Sequence, residues 1–299
     1  MHLGIDLGGT KIEIVALDEN NHIQYKHRIS SPRGSYQDTV STLLQLIQNA
    51  ERTLGVTCTI GIGIPGSISP KTGLIQNANS TWLIGHPLKE DLEAALDRKV
   101  QMANDADCFT LSEACDGSGA DKNSVFGVIL GTGVGGGISI NKTLMLGPNA
   151  ITGEWGHNPM PPEYCQKNKA PCYCGRAHCI ETYLCGPAFV KHFNAVNHCK
   201  FTRVEEILNH PDLESRKDAE LFYTQRLAAA LAIVVNILDP EVIVLGGGLS
   251  NMPFLYQNLQ SAMLPFVFSE SFETEIRPAL HGDSSGVRGA AWLGKATSS

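Results

Sequence analysis

The chain is short of long apolar runs, of charge and of positive charge in particular, and each shortage removes a class of protein. Its longest apolar stretch, Leu227 to Leu238, is broken by Asn236 and falls below the ~18–20 residues of a membrane span, so it reads as a buried helix. Charged residues make up 18% of the 299 and apolar residues 42%, a balance that fits a packed core and excludes a disordered chain. Acidic residues outnumber basic ones, 30 to 23, and the net charge of −7 argues against broad binding to nucleic acid or to an anionic membrane. An anionic ligand must therefore be held locally. Met1 leads into Leu3, Gly4, Ile5 and Asp6 with no basic segment and no apolar signal, which gives the expectation of a cytoplasmic protein. A P-loop is missing too, because no GxxxxGK followed by Ser or Thr occurs.

Glycine and cysteine are what the chain has in quantity, 30 and nine residues. An odd number of cysteines with no sorting signal suggests thiols or metal ligands and not a disulfide framework. The length fits about two domains of roughly 150 residues.

Two segments repeat one pattern. The first is a strand (Leu3 to Leu7), a turn (Gly8, Gly9, Thr10), a strand (Ile12 to Leu17), a turn and a third strand (His22 to Ile29). The second runs from Val125 to Leu130 through Gly131, Thr132 and Gly133 into Gly137 to Ile140, then Thr143 to Leu146. Both read as antiparallel meanders with a glycine-rich first turn. After the first, helices are predicted over Gln37 to Leu54, Leu88 to Leu96 and Ala106 to Cys115, with strands at Thr59 to Ile64 and Val100 to Ala103. The second half carries a long helix from Ala219 to Leu238, a strand from Val242 to Leu245 and a terminal helix over Val287 to Lys295. Two mixed α/β domains facing each other across a cleft are expected, with the ligand in that cleft. The division expected is an N-terminal domain over 1–117, completed by a C-terminal helix over 286–299, and a C-terminal domain over 118–285.

Three glycine clusters stand at strand ends: Asp6 to Lys11 (DLGGTK), Gly131 to Gly137 (GTGVGGG) and Gly246 to Gly248. Each alone is equally a tight turn, but glycine there also frees backbone amides to face phosphate oxygens. Gly131, Gly133 and Gly136 spell GxGxxG, yet Ile138, Ser139 and Ile140 continue as a strand. The dinucleotide fingerprint instead opens a helix. What remains is a phosphate clamp of two hairpin turns, with hydroxyls from Thr10 and Thr132 and a charge from Lys11.

The run GEWGHNP (Gly153 to Pro159) holds His157, and CYCGRAHCIE holds Cys172, Cys174 and Cys179. Three thiols and one imidazole make a closed tetrahedral zinc set of the structural kind. Buried unliganded cysteines are the alternative, and His178 and Cys165 are neighbouring candidate ligands. Asp105 follows a short strand beside Asn104 and precedes a helix, so it reads either as a helix cap or as a carboxylate aimed into the cleft.

DLGGTK near the start, GTG in the middle and GGG near the end resemble the phosphate and adenosine motifs of the sugar kinase, Hsp70 and actin superfamily. Within it the chain resembles the ROK (repressor, open reading frame, kinase) family almost from end to end. NANSTW (Asn77 to Trp82), GEWGHNP and HGDSSGVRGAAW (His281 to Trp292) are similar to the fructokinases of that family, the manno(fructo)kinases. The resemblance implies a two-domain actin-like (ribonuclease H-like) ATPase fold with an interdomain cleft. It implies Asp105 as catalytic base, ATP held by Asp6, Gly8, Gly9, Thr10, Lys11, Gly131, Thr132, Gly133, Gly246, Gly247 and Gly248, and Mg²⁺ positioned near Asp6. Asn79, Asn104, Asp105, Glu154, His157 and Glu181 would bind the sugar, and zinc would sit on His157, Cys172, Cys174 and Cys179. The activity implied is phosphorylation of D-fructose, with D-mannose as a further substrate, at the 6-hydroxyl by a homodimer. Glucose and N-acetylhexosamine kinases of the family are the alternative; a sugar-responsive repressor is the remote one.

Overall fold

The first half of the chain builds a sheet by bringing distant strands to one central strand. The computed structural model describes residues 1–165 and 170–295. Strands β1 (His2–Leu7), β2 (Lys11–Leu17) and β3 (Ile23–Ser30) form the antiparallel meander, followed by helix α1 (Tyr36–Leu54) and strand β4 (Thr59–Ile64). A small hairpin, β5 (Ser67–Ile68) with β6 (Ile75–Gln76), precedes helix α2 (Leu88–Leu96), strand β7 (Gln101–Asn104) and helix α3 (Asp105–Cys115). The sheet order is β3-β2-β1-β4-β7, antiparallel through the meander and parallel from β1 through β4 to β7. Nearly every residue of β2 and β4 is buried, as a sheet covered on both faces requires. Helix α1 covers one face with Leu43, Leu46, Ile47 and Ala50. The Ser35 side chain accepts the Asp38 N–H at its start, and Gly55, at φ 70°, ends it in the left-handed region.

The second half repeats the plan. Strands β8 (Ser124–Leu130), β9 (Val134–Ile140) and β10 (Thr143–Leu144) form its meander. Helices α4 (Glu181–Leu184), α5 (Gly186–Asn197), α6 (Val204–Leu208) and α7 (Leu213–Leu238) lead to strand β11 (Val242–Gly246). Helix α8 (Pro253–Met263), strand β12 (Glu275–Pro278) and helix α9 (Ser285–Lys295) close the described chain. The order is β10-β9-β8-β11-β12, the same as in the first sheet. Two expectations shift here. Strand β9 begins at Val134 and so takes in Gly135 and Gly136, expected before it, and the third strand stops at Leu144, not Leu146. Residues 296–299 of the expected last helix lie outside the described residues, and its first turn begins at Ser285.

The two sheets keep separate cores. One gathers Leu3, Ile5, Ile14, Leu43 and Ile62; the other gathers Phe126, Val128, Phe189, Phe193, Tyr223 and Leu227. Helix α7 is long and apolar enough to cross a membrane by length and composition, and half of its most apolar window is buried. Ala228, Ala230 and Leu231 of that helix lie inside the second core.

Helices α3 and α9 connect the halves by crossing over. Helix α9 packs chiefly on β1 and β4 of the first sheet, where Val287 and Ala291 meet Val15 and Leu17. Helix α3 packs chiefly on β8 and β9 of the second sheet, where Phe109 and Ala114 meet Val125, Val242 and Val244. The two helices also touch each other. A Cβ added to Gly289 would lie 1.6 Å from the Cys108 carbonyl oxygen, so only glycine allows this crossing. Near the crossing, the fully buried Glu113 carboxylate accepts the Ser118 and Leu280 amides at 2.9 and 3.0 Å and the Ser285 hydroxyl at 2.8 Å. Asp116 binds Arg288 and His281 beside it.

Candidate active site

Between the sheets lies a polar cavity of about 230 Å³. It gathers nine of the residues expected at the site: Asn79, Asn104, Asp105, Gly131, Thr132, Gly133, Glu154, His157 and Glu181. Asp6, Gly8 to Lys11 and Gly246 to Gly248 do not line it. Strand β7 delivers Asn104 and Asp105 to the cavity floor as it turns into α3. The cap of α3 is Asn104, whose Oδ1 accepts the Ala106 N–H at 2.8 Å while its amide donates to the Gly66 carbonyl at 3.1 Å. Asp105 accepts the same N–H through Oδ1, also at 2.8 Å, which fixes one carboxylate oxygen. Its second oxygen has no partner among the described residues. The capping role considered for Asp105 thus falls mainly to its neighbour.

Several carboxyl groups share this region with little positive charge to offset them. Surrounding protein raises the proton affinity of Asp105. Burial, then the Asp105 and Glu13 carboxylates, push Asp6 up to about 6. Asp107 was not singled out in the sequence; burial, then Glu154 and Asp105, push it up to about 7, and its Oδ1 is buried with no hydrogen-bond partner. Glu154 is raised by desolvation, against His157 and with Asp105 and Glu181. A carboxylate shifted toward neutrality is better matched to taking a proton near physiological pH than an ordinary aspartate.

The glycine turns divide by task. Gly8 donates to Lys11 O at 3.0 Å, and a Cβ on Gly8 would meet that oxygen at 2.8 Å, so it closes a tight hairpin. In the second turn, Glu181 accepts the Val134 N–H at 2.9 Å, and a Cβ on Gly133 would lie 2.7 Å from the same carboxylate oxygen. Gly246 is pressed against the Phe109 ring and Gly247 has φ 83°, whereas Gly248 faces open space.

The cysteine loop folds into one cluster. The ligand atoms of His157, Cys172, Cys174 and Cys179 all lie within 4.8 Å of one another. His157 Nδ1 is 3.6 Å from Cys172 Sγ, and Cys174 and Cys179 Sγ are 3.6 Å apart. A tetrahedral zinc at ~2.3 Å from sulfur and ~2.0–2.1 Å from nitrogen sets its ligands roughly 3.5–3.8 Å apart, so this donor set fits the ion. The neighbouring candidates point elsewhere. His178 Nδ1 bonds the Tyr183 hydroxyl at 2.5 Å, and the Cys165 thiol faces the Met160 and Pro161 carbonyls. His157 turns its other nitrogen, Nε2, to the cavity, 2.9 Å from the Tyr173 hydroxyl and 3.9 Å from Glu154. Tyr173 is a cavity residue that sequence reasoning missed; its place between Cys172 and Cys174 was the available signal.

Two sheets of one topology, paired crossing helices and a polar cleft between them define the two-domain actin-like fold of sugar kinases. The chain belongs to the ROK family, whose model matches residues 2–297. It is 37% identical over 98% of its length to N-acetyl-D-glucosamine kinase of Escherichia coli O127:H6, covering 99% of that protein. Its fold superposes on the ROK hexokinase from Thermus thermophilus with a TM-score of 0.86 at 26% identity, over 99% of this chain and 98% of the other. A ROK family glucokinase from Streptomyces griseus, solved with glucose and AMPPNP, gives 0.77 at 24% identity over 99% of each chain.

Proposed function

We propose that this protein is an ATP-dependent sugar kinase that phosphorylates the 6-hydroxyl of an N-acetylhexosamine, N-acetyl-D-glucosamine first. The observation that carries the substrate is the 37% identity, nearly end to end, with N-acetyl-D-glucosamine kinase. The fructose expectation, which rested on the NANSTW, GEWGHNP and HGDSSGVRGAAW resemblance, has no such support.

Phosphoryl transfer asks the protein mainly for position and charge. Asp105 takes the proton of the attacking hydroxyl through its unpartnered oxygen, while the Ala106 amide holds the other. Asn79, Asn104, Glu154 and Glu181 bind sugar hydroxyls from opposite walls of the cavity. A site built to pair hydroxyls rejects molecules that lack them. The β1–β2 and β8–β9 turns grip the phosphates, with Thr10, Lys11 and Thr132 available to them, and Gly248 offers open backbone to the nucleoside. Magnesium, positioned by Asp6, would neutralise charge on the phosphates. Zinc on the three cysteines and His157 would fix the loop that carries His157 and Tyr173; four protein ligands leave no position for a reacting water. Closure of the 1–117 and 118–285 domains, with helix α9 moving with the first, excludes water from the transfer.

A coupled ADP-release assay with ATP, Mg²⁺ and a panel of hexoses tests this reading. The highest kcat/KM is expected for N-acetyl-D-glucosamine. A preference for fructose would restore the sequence expectation, and turnover of no hexose would end the kinase reading.

A further inference from the structure

We infer that the Tyr173 hydroxyl is a competitor built into the sugar pocket: it occupies the hydrogen-bonding position on His157 that a substrate hydroxyl would take, and so sets sugar affinity. The inference rests on the proposed kinase reading and adds a residue to it. His157 directs Nδ1 at the thiol cluster, 3.6 Å from Cys172 Sγ. With zinc on the thiol cluster, Nδ1 would present its lone pair to the metal and the ring proton would sit on Nε2. Nε2 is then a donor aimed into the cavity. The Tyr173 oxygen, 2.9 Å away, accepts from it.

Among the described residues, no other group bonds that oxygen. Tyr173 is 77% exposed, although it lines the cavity beside Glu154 and Glu181. Its aromatic neighbour is the His157 ring itself, edge-on at 5.2 Å between centroids. The backbone around it is fixed, since the Cys172 N–H donates to Arg176 O at 2.8 Å and the Gly175 N–H to Cys172 O at 3.1 Å. Release of His157 therefore needs only a side-chain rotation of an exposed residue, a motion of picoseconds to nanoseconds. A hexose that claims the Nε2 proton must first break this bond, and the free tyrosine hydroxyl then goes to water. The competitor raises the sugar dissociation constant without touching the nucleotide or the base.

Tyr173→Phe tests this, because it keeps the ring and removes only the oxygen. A neutral hydrogen bond is worth about 0.5–1.5 kcal/mol net, or about 2- to 10-fold in an equilibrium constant. The calorimetric Kd for N-acetyl-D-glucosamine, or for whichever hexose the wild type prefers, is expected to fall by that factor. The sugar KM should fall with it while kcat and the ATP KM change less. Zinc content by mass spectrometry should match the wild type. An unchanged or raised sugar Kd in Tyr173→Phe overturns the inference and leaves the kinase reading standing. A wild-type protein that binds no hexose overturns both.

Discussion

The two glycine-rich turns begin from one pattern and end in different roles. The turn after β1 is pulled shut by its own backbone, Gly8 N–H to Lys11 O, and leaves Thr10 and Lys11 exposed. The turn after β8 is instead held from outside: Glu181 takes the Val134 amide, and Gly186 donates to Gly131 O at 2.8 Å. Only the second lines the cavity. A repeated meander thus supplies one turn closed on itself with exposed tips and one coupled through Glu181 to the cavity wall. Local glycine content cannot distinguish these roles, because the difference comes from contacts made by residues 47 to 55 positions away.

The sharpest way to break this division is to remove the proposed base, Asp105. Asp105→Ala should lower kcat by about 10²–10⁴-fold, the usual contribution of a general base, with the fold kept as judged by circular dichroism. Near-normal kcat would take Asp105 out of the mechanism. Smaller effects should separate the turns. Gly133→Ala forces the Glu181 carboxylate away from the Val134 amide and should raise the sugar KM by about 10-fold or more, the worth of one hydrogen bond to a charged group. Gly8→Ala disturbs the first hairpin and should raise the ATP KM more than the sugar KM. Equal shifts in both constants for both variants would erase the contrast.

A pH series sharpens the electrostatic side. Asp107 is pushed up to about 7 in the folded protein, so its contribution to stability is fully present below the unfolded carboxyl range and is lost as pH rises through about 7. Asp107→Asn should therefore raise Tm at pH 8 relative to the wild type, with less gain at pH 5. A gain independent of pH would contradict that account. The smallest effect is expected at His178, which holds φ 60°, in the left-handed region that favours glycine. His178→Gly relieves the left-handed backbone but loses the bond to Tyr183, so stability should move by no more than about 1 kcal/mol in thermal unfolding.

Much of the molecule was legible because its signals are local. Helical spacing placed α2 at Leu88–Leu96, and the apolar run placed β4 at Thr59–Ile64, as found. The candidate metal set was legible because His157, Cys172, Cys174 and Cys179 cluster within 23 residues of chain. Strand β12 was not, since Glu275–Pro278 sits at a sheet edge with half-buried polar residues and no apolar alternation. Helices α5 and α8 escaped as well; α5 hides only Phe189, Val190 and Phe193 along its middle. The exchange of α3 and α9 between sheets depends on Cys108 meeting Gly289, a contact no periodicity encodes. Asp107 was missed because an aspartate in the first turn of a helix looks like ordinary support for the helix dipole. The preferred hexose is hard to read for a related reason: polar residues of the kind that line the cavity can pair the hydroxyls of any hexose.

The central claim is transfer of a phosphoryl group from ATP to one primary hydroxyl in this cavity. Phosphorus NMR of a reaction containing the protein, ATP, Mg²⁺ and N-acetyl-D-glucosamine tests it directly. A phosphomonoester signal coupled to the two protons on carbon 6, growing in step with ADP, is the predicted result. Inorganic phosphate alone, or a phosphoryl group on another oxygen, would contradict it.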